Sequence, residues 1–526
     1  MEYSCVQLND LPDEILIYIF KKLNNVTILY SLVGINKRLD RILHDSIFTS
    51  NLTLLNYLSY NSIYSLSKPI LDRYCFEILP KINNKINWLN LELSSMKRIL
   101  SVNYPNLFGL GIYNIEKETA LRLFTDQTCL IEIFKNQISS LVIGTKNKCG
   151  LTENVNTLIF TNILTILNNL KYLHFNPSLD TYQQISFNRS SPTIFSSTLL
   201  ELHVKVMTIG DCLYLLDGRF SQLHSFYVHI LSSLHFKLKL NKGKLSNLKT
   251  FSLSCDSKIF YYDDVIIPLL HRMSNLEQLN LYLDCSCEKT FIDGNDLKTN
   301  ILNHILQLKS FAFNIRSSIH DINQIDLPSN QYIQHTFKEF KYKKIISSVG
   351  YFPDSKIGEC YICSYPFTMT RYERITNSFS GELFKSVCEV ELFDERSFEY
   401  KFFLRIQKSF PFMKKLTLIN NKPQNDKQCR ELKNNNNNLL IIQYPHLTYL
   451  NLDQAHDDYL EQFLLDTKMC LPINVELRAM YKSLKKVTHN FKRNATRINC
   501  LKMNYKCTDD ISRFPKHLKN YFRNVY

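Results

Sequence analysis

One phrase recurs along most of this 526-residue chain: Leu, two residues, Leu or Phe, one residue, then another apolar residue. Clear copies begin at residue 86 and return at 107–112, 170–175, 223–228, 248–253, 276–281, 308–313 and 447–452. Weaker copies lie at 199–204, 337–342 and 413–418, and two fainter strands are expected near 360–362 and 387–392. The step between clear copies is mostly 21 to 34 residues. Apolar residues two apart share one face of a strand, so each phrase predicts a short strand with an inward-facing pair. The segments between them read as helices. Residues 263–273 carry Val265, Ile266, Leu269 and Leu270; residues 296–306 carry Leu297, Ile301, Leu302 and Ile305; residues 459–469 carry Leu460, Phe463 and Leu464. A strand–helix unit this small cannot bury its own apolar face and must stack on its neighbours.

This period and pattern resemble the leucine-rich-repeat proteins. The resemblance implies an α/β fold, with an irregular solenoid of strand–helix units over residues 86–505. Irregular turns are expected because the family's Asn, which satisfies backbone inside each turn, is mostly missing; Asn421 is read as a survivor. Residues 51–85 read as a helical connector and 506–526 as a basic C-terminal cap. A polar stretch around the five asparagines 434–438 reads as an inserted surface loop. By alternation alone, the concave face would carry Asn90, Glu92, His174, Tyr282, Asn314, Lys341, Lys343 and Asn451 as target-binding candidates.

The first 50 residues have a different grammar. Leu11-Pro12 is followed at once by Asp13-Glu14 and an apolar pattern at helical spacing: Ile15 and Ile19, Leu16 and Phe20, then Leu23. Pro12 suits a helix start, Asp10 stands upstream as a cap, and the acids lie at the positive end of the helix dipole. A second apolar run follows Asn24-Asn25, and a third begins at Asn36-Lys37-Arg38-Leu39. Three helices in so few residues make a core too small to be stable alone, so the unit is expected to dock on something larger.

This stretch, residues 4–50, resembles the F-box, the helical module that anchors substrate receptors to SCF-type cullin–RING ubiquitin ligases. Leu8, residues 11–16, Ile19-Phe20, Leu23, residues 29–33 and Lys37-Arg38-Leu39 carry the resemblance. Ile35-Asn36 and Leu39 depart from it, standing where the family often has Cys and Trp. The resemblance implies contact with the cullin-linked adaptor through Leu8, Leu11, Pro12, Ile15, Leu16, Phe20 and Leu32. Some of these must instead close the small helical core. It also implies a target protein held by the repeats for ubiquitination, with no catalysis by this chain.

Composition narrows the alternatives. Hydrophobic content is 45% and charged content 21%, a globular balance. Only 12 glycines occur, and no GxxxxGK[ST], GxGxxG or GxSxG is present, which weighs against nucleotide-binding folds and serine hydrolases. Cys360 and Cys363 have redox or metal spacing, yet no second CxxC exists and their segment reads as a strand. Asp263-Asp264 and Asp457-Asp458 fit helix capping rather than acid–base chemistry. His271 and His304 read as packed or surface residues. No cofactor, metal or membrane partner is expected. The 15 scattered cysteines and the absence of a leader point to the cytoplasm or nucleus.

Net charge is +15, and residues 482–526 hold twelve Lys and Arg against Asp509 and Asp510, a net of +10. Tyr505, Phe514, Tyr521 and Phe522 are interleaved among them. A soluble end cap ranks first, docking of an acidic protein second and single-stranded nucleic acid third. The alternative function is thus a scaffold without ligase coupling that uses this end to bind an acidic protein or nucleic acid.

Overall fold

The computed structural model describes residues 8–57, 63–124, 135–145, 154–175, 184–187, 194–233, 243–340, 344–366, 369–425, 441–507, 518 and 520–525. The chain is an α/β protein of alternating strands and helices. Among the described residues its strands form mixed and parallel sheets. There are two compact units: residues 1–283 with 300–311, and residues 284–299 with 312–526.

The first unit opens with α1 (Asp13–Phe20), α2 (Asn25–Leu32) and α3 (Lys37–Leu43). Its strands follow: β1 (Asn51–Tyr57), β2 (Ile63–Ser65), β3 (Trp88–Glu92), β4 (Gly109–Ile115) and β5 (Ser140–Thr145). Next come β6 (Tyr172–Phe175), β7 (Glu201–Val206), β8 (Ser225–Ile230), β9 (Thr250–Cys255) and the start of β10 (Gln278–Cys287). They pair in chain order and in parallel; only β2, antiparallel to β1, breaks the rule.

The register explains why the phrase recurs. Leu52, Leu89, Leu110, Leu141, Leu173, Leu202, Phe226, Phe251 and Leu279 stand in one transverse column. Every member is buried. Two residues on, Val204, Val228, Leu253 and Leu281 form a second buried column. Because strand side chains alternate with period two, slipping one strand by one residue would turn its whole apolar set to solvent.

Two corrections follow for residues expected to be helical or blank. The described part of the connector is helical from Lys68 to Lys85; Asn51–Tyr57 is instead the sheet's first strand, with Leu52 and Leu54 on one face and fully buried. The long gap between residues 112 and 170 holds β5, a copy of the phrase built on Ile138, Leu141 and Ile143. Among the helices, Tyr262–Ile266 and Tyr74–Ile78 are wide π turns, each just before a proline, Pro268 or Pro80. Proline cannot donate to the carbonyl four residues back, so the preceding turn opens.

Between strands, one carbonyl serves two donors. Ser50 O accepts from the N–H of Asn87 and Trp88, and Asn87 O from Phe108 and Gly109. The series continues through the carbonyls of Phe108, Ser139, Lys171, Leu200, His224, Lys249 and Glu277, which takes Lys309 and Ser310. Side-chain bridges lie alongside. Asn106, Asn247 and Asn275, each just before a phrase Leu, donate to the carbonyls of Asn84, Ser221 and Ser246.

The second unit contains the greater part of β11 (Ser310–Ile319), with β12 (Lys344–Phe352) and β13 (Ile357–Tyr365). These are antiparallel, β13 pairing with both β11 and β12. The hairpin departs from the expected parallel strands at 337–342 and 360–362. Phe337–Phe340 is a turn, and Lys341 to Lys343 lie outside the described residues. Glu359 on β13 sits between Arg316 Nε at 3.2 Å and Arg374 Nη2 at 3.3 Å, and Arg374 holds a left-handed φ of 51° to reach it.

Parallel order resumes in β14 (Arg371–Ile375), β15 (Glu389–Phe393), β16 (Lys415–Asn420), β18 (Tyr449–Ala455), β20 (Val475–Ala479), β21 (Met503–Cys507) and β22 (Asn524–Val525). A separate small pair is made by β17 (Ile442–Gln443) and β19 (Met469–Cys470). The core of this unit is rich in Phe, with Phe398 stacked on Phe402 at 4.3 Å, and it includes Leu518, Tyr521 and Phe522 from the chain's end. The asparagine that bridges repeats here is Asn420, not Asn421. Its Nδ2 donates to Arg396 O at 2.8 Å and it is buried, because it shares the inward parity of Leu416 and Leu418. The asparagine run at 434–438 lies outside the described residues.

Column and bridge should differ in cost. Leu202→Ala should lose about 2–5 kcal/mol of stability through the cavity it leaves. Asn275→Ala, at an exposed bridge, should lose about 0.5–1.5 kcal/mol. Urea unfolding followed by circular dichroism measures both.

Candidate functional site

The candidate site is built on α1 to α3. Asn24 caps α2 by accepting from Val26 N and Thr27 N, and Asn36 caps α3 by accepting from Leu39 N at 2.8 Å. Pro12 is the N-cap of α1 and has no capping side chain, and Asp10 lies in the preceding 3-10 turn. The start of α1 is held instead from α3. Arg38 donates through Nε to Asp13 Oδ1 at 2.7 Å and through Nη2 to Leu11 O at 2.5 Å, and Arg41 adds a 2.7 Å ion pair to Asp13. The Leu-Pro-Asp step and the Lys37-Arg38 pair, remote in sequence, thus form one joint. The Arg38 guanidinium, helped by Arg41, holds the Asp13 carboxyl below its ordinary 3.8.

The module is continuous with the unit that follows it. Tyr74 is fully buried and donates its hydroxyl to Val26 O at 2.5 Å. Arg73 donates to Val33 O at 2.9 Å while its guanidinium lies over the Tyr30 ring. Lys85 Nζ reaches His44 O at 2.7 Å. These contacts supply the larger support that a three-helix core of this size needs.

The seven adaptor candidates separate by burial. Leu16 and Phe20 close the core with Leu29, Leu43 and Phe48, Phe20 meeting Phe48 edge to face at 6.2 Å. Neither can touch a partner directly; they position the helix. Leu8, Pro12 and Ile15 are exposed, while Leu11 and Leu32 are half-buried. Sequence reasoning did not name Tyr18, 64% exposed, or Ile35, 57% exposed, as contact residues, and Leu23, read as continuing the apolar stripe, is 54% exposed. The signal was present: α1 is apolar on all sides after Glu14, and a helix of that kind is normally covered all round. Here one face is covered by the core and the other faces solvent.

The repeat-face candidates also separate. Thr53, Asn90, Gly111, Val142, His174, His203, Tyr227, Ser252 and Asn280 form one transverse row. Tyr282 lies in the next row beyond Ser254, His229 and Lys205. Around Asn90 and His174 the face is aromatic. The Trp88 ring lies over Gly109 and meets Tyr172 edge to face with ring centres 6.3 Å apart; His203 stacks on Tyr227 at 4.1 Å and lies tilted against His174 at 4.8 Å. Burial, with His203 and Lys205 nearby, pushes His174 down to about 4. Trp88, Tyr172, His203 and Tyr227 could have been found by applying the same alternation to every strand. Glu92 caps its own helix by accepting from Ser94 N, and Asn451 accepts from Asp453 N. Asn314 is buried in the second unit, and Lys341 and Lys343 lie outside the described residues.

Cys360 and Cys363 sit in β13, three apart and so on opposite faces of the strand, both buried. Burial pushes the Cys363 thiol up to about 12 and the Cys360 thiol up as well, away from nucleophilic or ligating thiolate. Among the described residues no group of three or more His, Cys, Asp or Glu side chains could hold a metal ion, and no helix is long and apolar enough to cross a membrane. No protein-family model matches this chain, and no curated protein matches it.

Two expectations follow from these geometries. The lowered Asp13 value contributes stability that is present above 3.8 and is lost as pH falls through the folded-state value below it. Amide exchange in α1 and α3 should therefore accelerate in that acid range, and Asp13→Asn should remove the dependence. In Gly109→Ala, the new Cβ would fall 2.0 Å from the Trp88 ring. The indole must move, and the fluorescence of this single Trp should shift towards that of a more exposed indole.

Proposed function

We propose that this chain is the substrate-recognition subunit of an SCF-type ubiquitin ligase. The N-terminal helices act as an F-box that binds the cullin-linked adaptor, and the strand–helix units form a leucine-rich-repeat solenoid that holds a target protein. The reading rests on the resemblance of residues 4–50. The observation that carries it is the set of exposed apolar side chains on this helical module, Ile15 and Tyr18 on α1, Leu8 before it, and Leu23 and Ile35 in the turns that follow, while Leu16 and Phe20 close the core. An exposed apolar set on a rigid support marks an interaction site. The joint of Asp13 with Arg38 and Arg41 supports it further, because it fixes the Leu-Pro step next to that set.

In this role the chain does no covalent chemistry. Binding adaptor and target together raises the effective concentration of target lysines near a ubiquitin-charged conjugating enzyme. Target contact is assigned to the half-buried sheet face around Trp88, Asn90, Tyr172, His174, His203 and Tyr227. Its aromatic surface suits the centre of a protein interface.

A pulldown of the full chain against purified adaptor tests the proposal. Ile15→Asp with Tyr18→Asp should weaken adaptor binding by at least ~30-fold, a loss of about 2 kcal/mol or more, with an unchanged melting curve. Leu16→Ala should instead lower the melting temperature. Adaptor binding that persists in the Ile15/Tyr18 double variant, or is absent in the wild type, contradicts the proposal. In the latter case failure to co-purify with cullin would favour a scaffold without ligase coupling.

A further inference from the structure

The basic end of the chain is organised rather than merely charged. In the second unit, two helices, Tyr481–Val487 and Asn494–Cys500, bury Leu484 and Val487 from one and Thr496, Asn499 and Cys500 from the other. Their outer sides and the turn between them expose Lys482, Lys485, Lys486, Lys492 and Arg497. Lys486 pairs with Asp457 at 2.6 Å, and the half-buried Arg493 pairs with Glu461 at 2.8 Å. Among the described residues, Lys482, Lys485, Lys492 and Arg497 have no carboxylate within ion-pair distance.

The turn between the helices is fixed. His489, Asn490 and Phe491 all hold left-handed φ values, 50°, 56° and 61°, which side-chain-bearing residues rarely adopt in succession. Phe491 is buried between Tyr481 and Tyr521, and Thr488 accepts from the N–H groups of Lys492 and Arg493 and, through its hydroxyl, of Phe491. Cations on a fixed frame lose little freedom on binding.

Beside the cations stand exposed aliphatic groups: Ile498 and Leu501 at 51% and 47% exposure. Asn474 N donates to Lys502 O at 2.7 Å, which brings the exposed Ile473 to the same helix end. Among the described residues the aromatic side chains of this region, by contrast, pack into the core; Phe514 lies outside the described residues. Phe491, Tyr505, Tyr521 and Phe522 are all buried, so none can stack on a base.

We infer that this face docks an acidic, amphipathic protein segment, one in which Asp and Glu alternate with aliphatic residues. Charge complementarity selects the acids, and Ile498 and Leu501 select the aliphatic partners. With Phe491, Tyr505, Tyr521 and Phe522 buried, the described face offers exposed aliphatic groups rather than stacking rings, which favours the protein segment over single-stranded nucleic acid. The surface shares no residue with the adaptor and sheet-face sites, so it stands or falls separately from the receptor reading.

Fluorescence anisotropy on the full chain tests it with three probes: a 20-residue peptide of alternating Glu and Leu-Ile pairs, a polyglutamate of equal charge, and an oligothymidine of 20 nucleotides. The amphipathic peptide should bind most tightly. Lys485→Glu with Arg497→Glu should weaken it at least 10-fold. Ile498→Ser with Leu501→Ser should weaken the amphipathic peptide several-fold and leave polyglutamate unchanged. Oligothymidine binding more tightly than the peptide, or peptide binding indifferent to the charge reversal, overturns the inference.

Discussion

Much of the first unit depends on one hydrogen-bond arrangement: a carbonyl at the entry to each strand that accepts two N–H groups from the next repeat. The series runs from Ser50 to Glu277 and fixes each strand's entry point relative to the last. Once entry is fixed, alternation does the rest. Leu89, Leu110, Leu141, Leu173 and Leu202 must then fall in one buried column, and Asn90, His174, His203 and Tyr227 must fall in a row on the other face. The backbone ladder does not depend on residue type, which is why carbonyls of Ser, Asn, Phe, Lys, Leu, His and Glu all serve. Sequence is needed only to fill the columns and to bridge the turns, as Asn106, Asn247 and Asn275 do. That division explains how the repeat can be so degenerate and still keep register.

It also explains what could be read in advance. Strand positions follow from the apolar phrase, because the columns tolerate nothing else. β5 escaped because its first half, Ile138-Ser139-Ser140, lacks a leading Leu, and β1 because its phrase sits directly after the helical module. The hairpin of β12 and β13 escaped for a different reason: pairing direction is set by connection length, and the phrase carries no mark of it. The bridging Asn420 was misplaced by one residue, since parity along a strand is only as good as the assumed starting point. At the candidate site, helix periodicity located α1 but could not say which of its two apolar stripes faced inward. That depends on Phe48, at the far end of the motif, which packs on Phe20, and on Tyr74, beyond the motif, which hydrogen-bonds to Val26 O of α2.

The helical module shows how a marginal core can still present a rigid surface. Its inner residues are few, but Arg38 and Arg41 clamp Asp13, and Tyr74 and Arg73 hold α2 and its C-terminal end from the following helix. Ile15 and Tyr18 are thus presented at low entropic cost, the property an anchoring surface requires. In the proposed receptor role, this rigidity would matter at both sites, because the gain from joining adaptor and target depends on holding each in a set place. The Trp88 ring packed over Gly109 and the His203–Tyr227 stack show the same preorganisation on the sheet face.

The most direct test of the proposed docking surface is hydrogen–deuterium exchange of the full chain with and without purified adaptor. The account predicts slowed exchange across residues 8–23 and 30–36, where Leu8, Ile15, Tyr18, Leu23 and Ile35 face solvent, and no change across the sheet of the second unit. Protection confined to the sheet strands, or no protection anywhere at saturating adaptor, would contradict it.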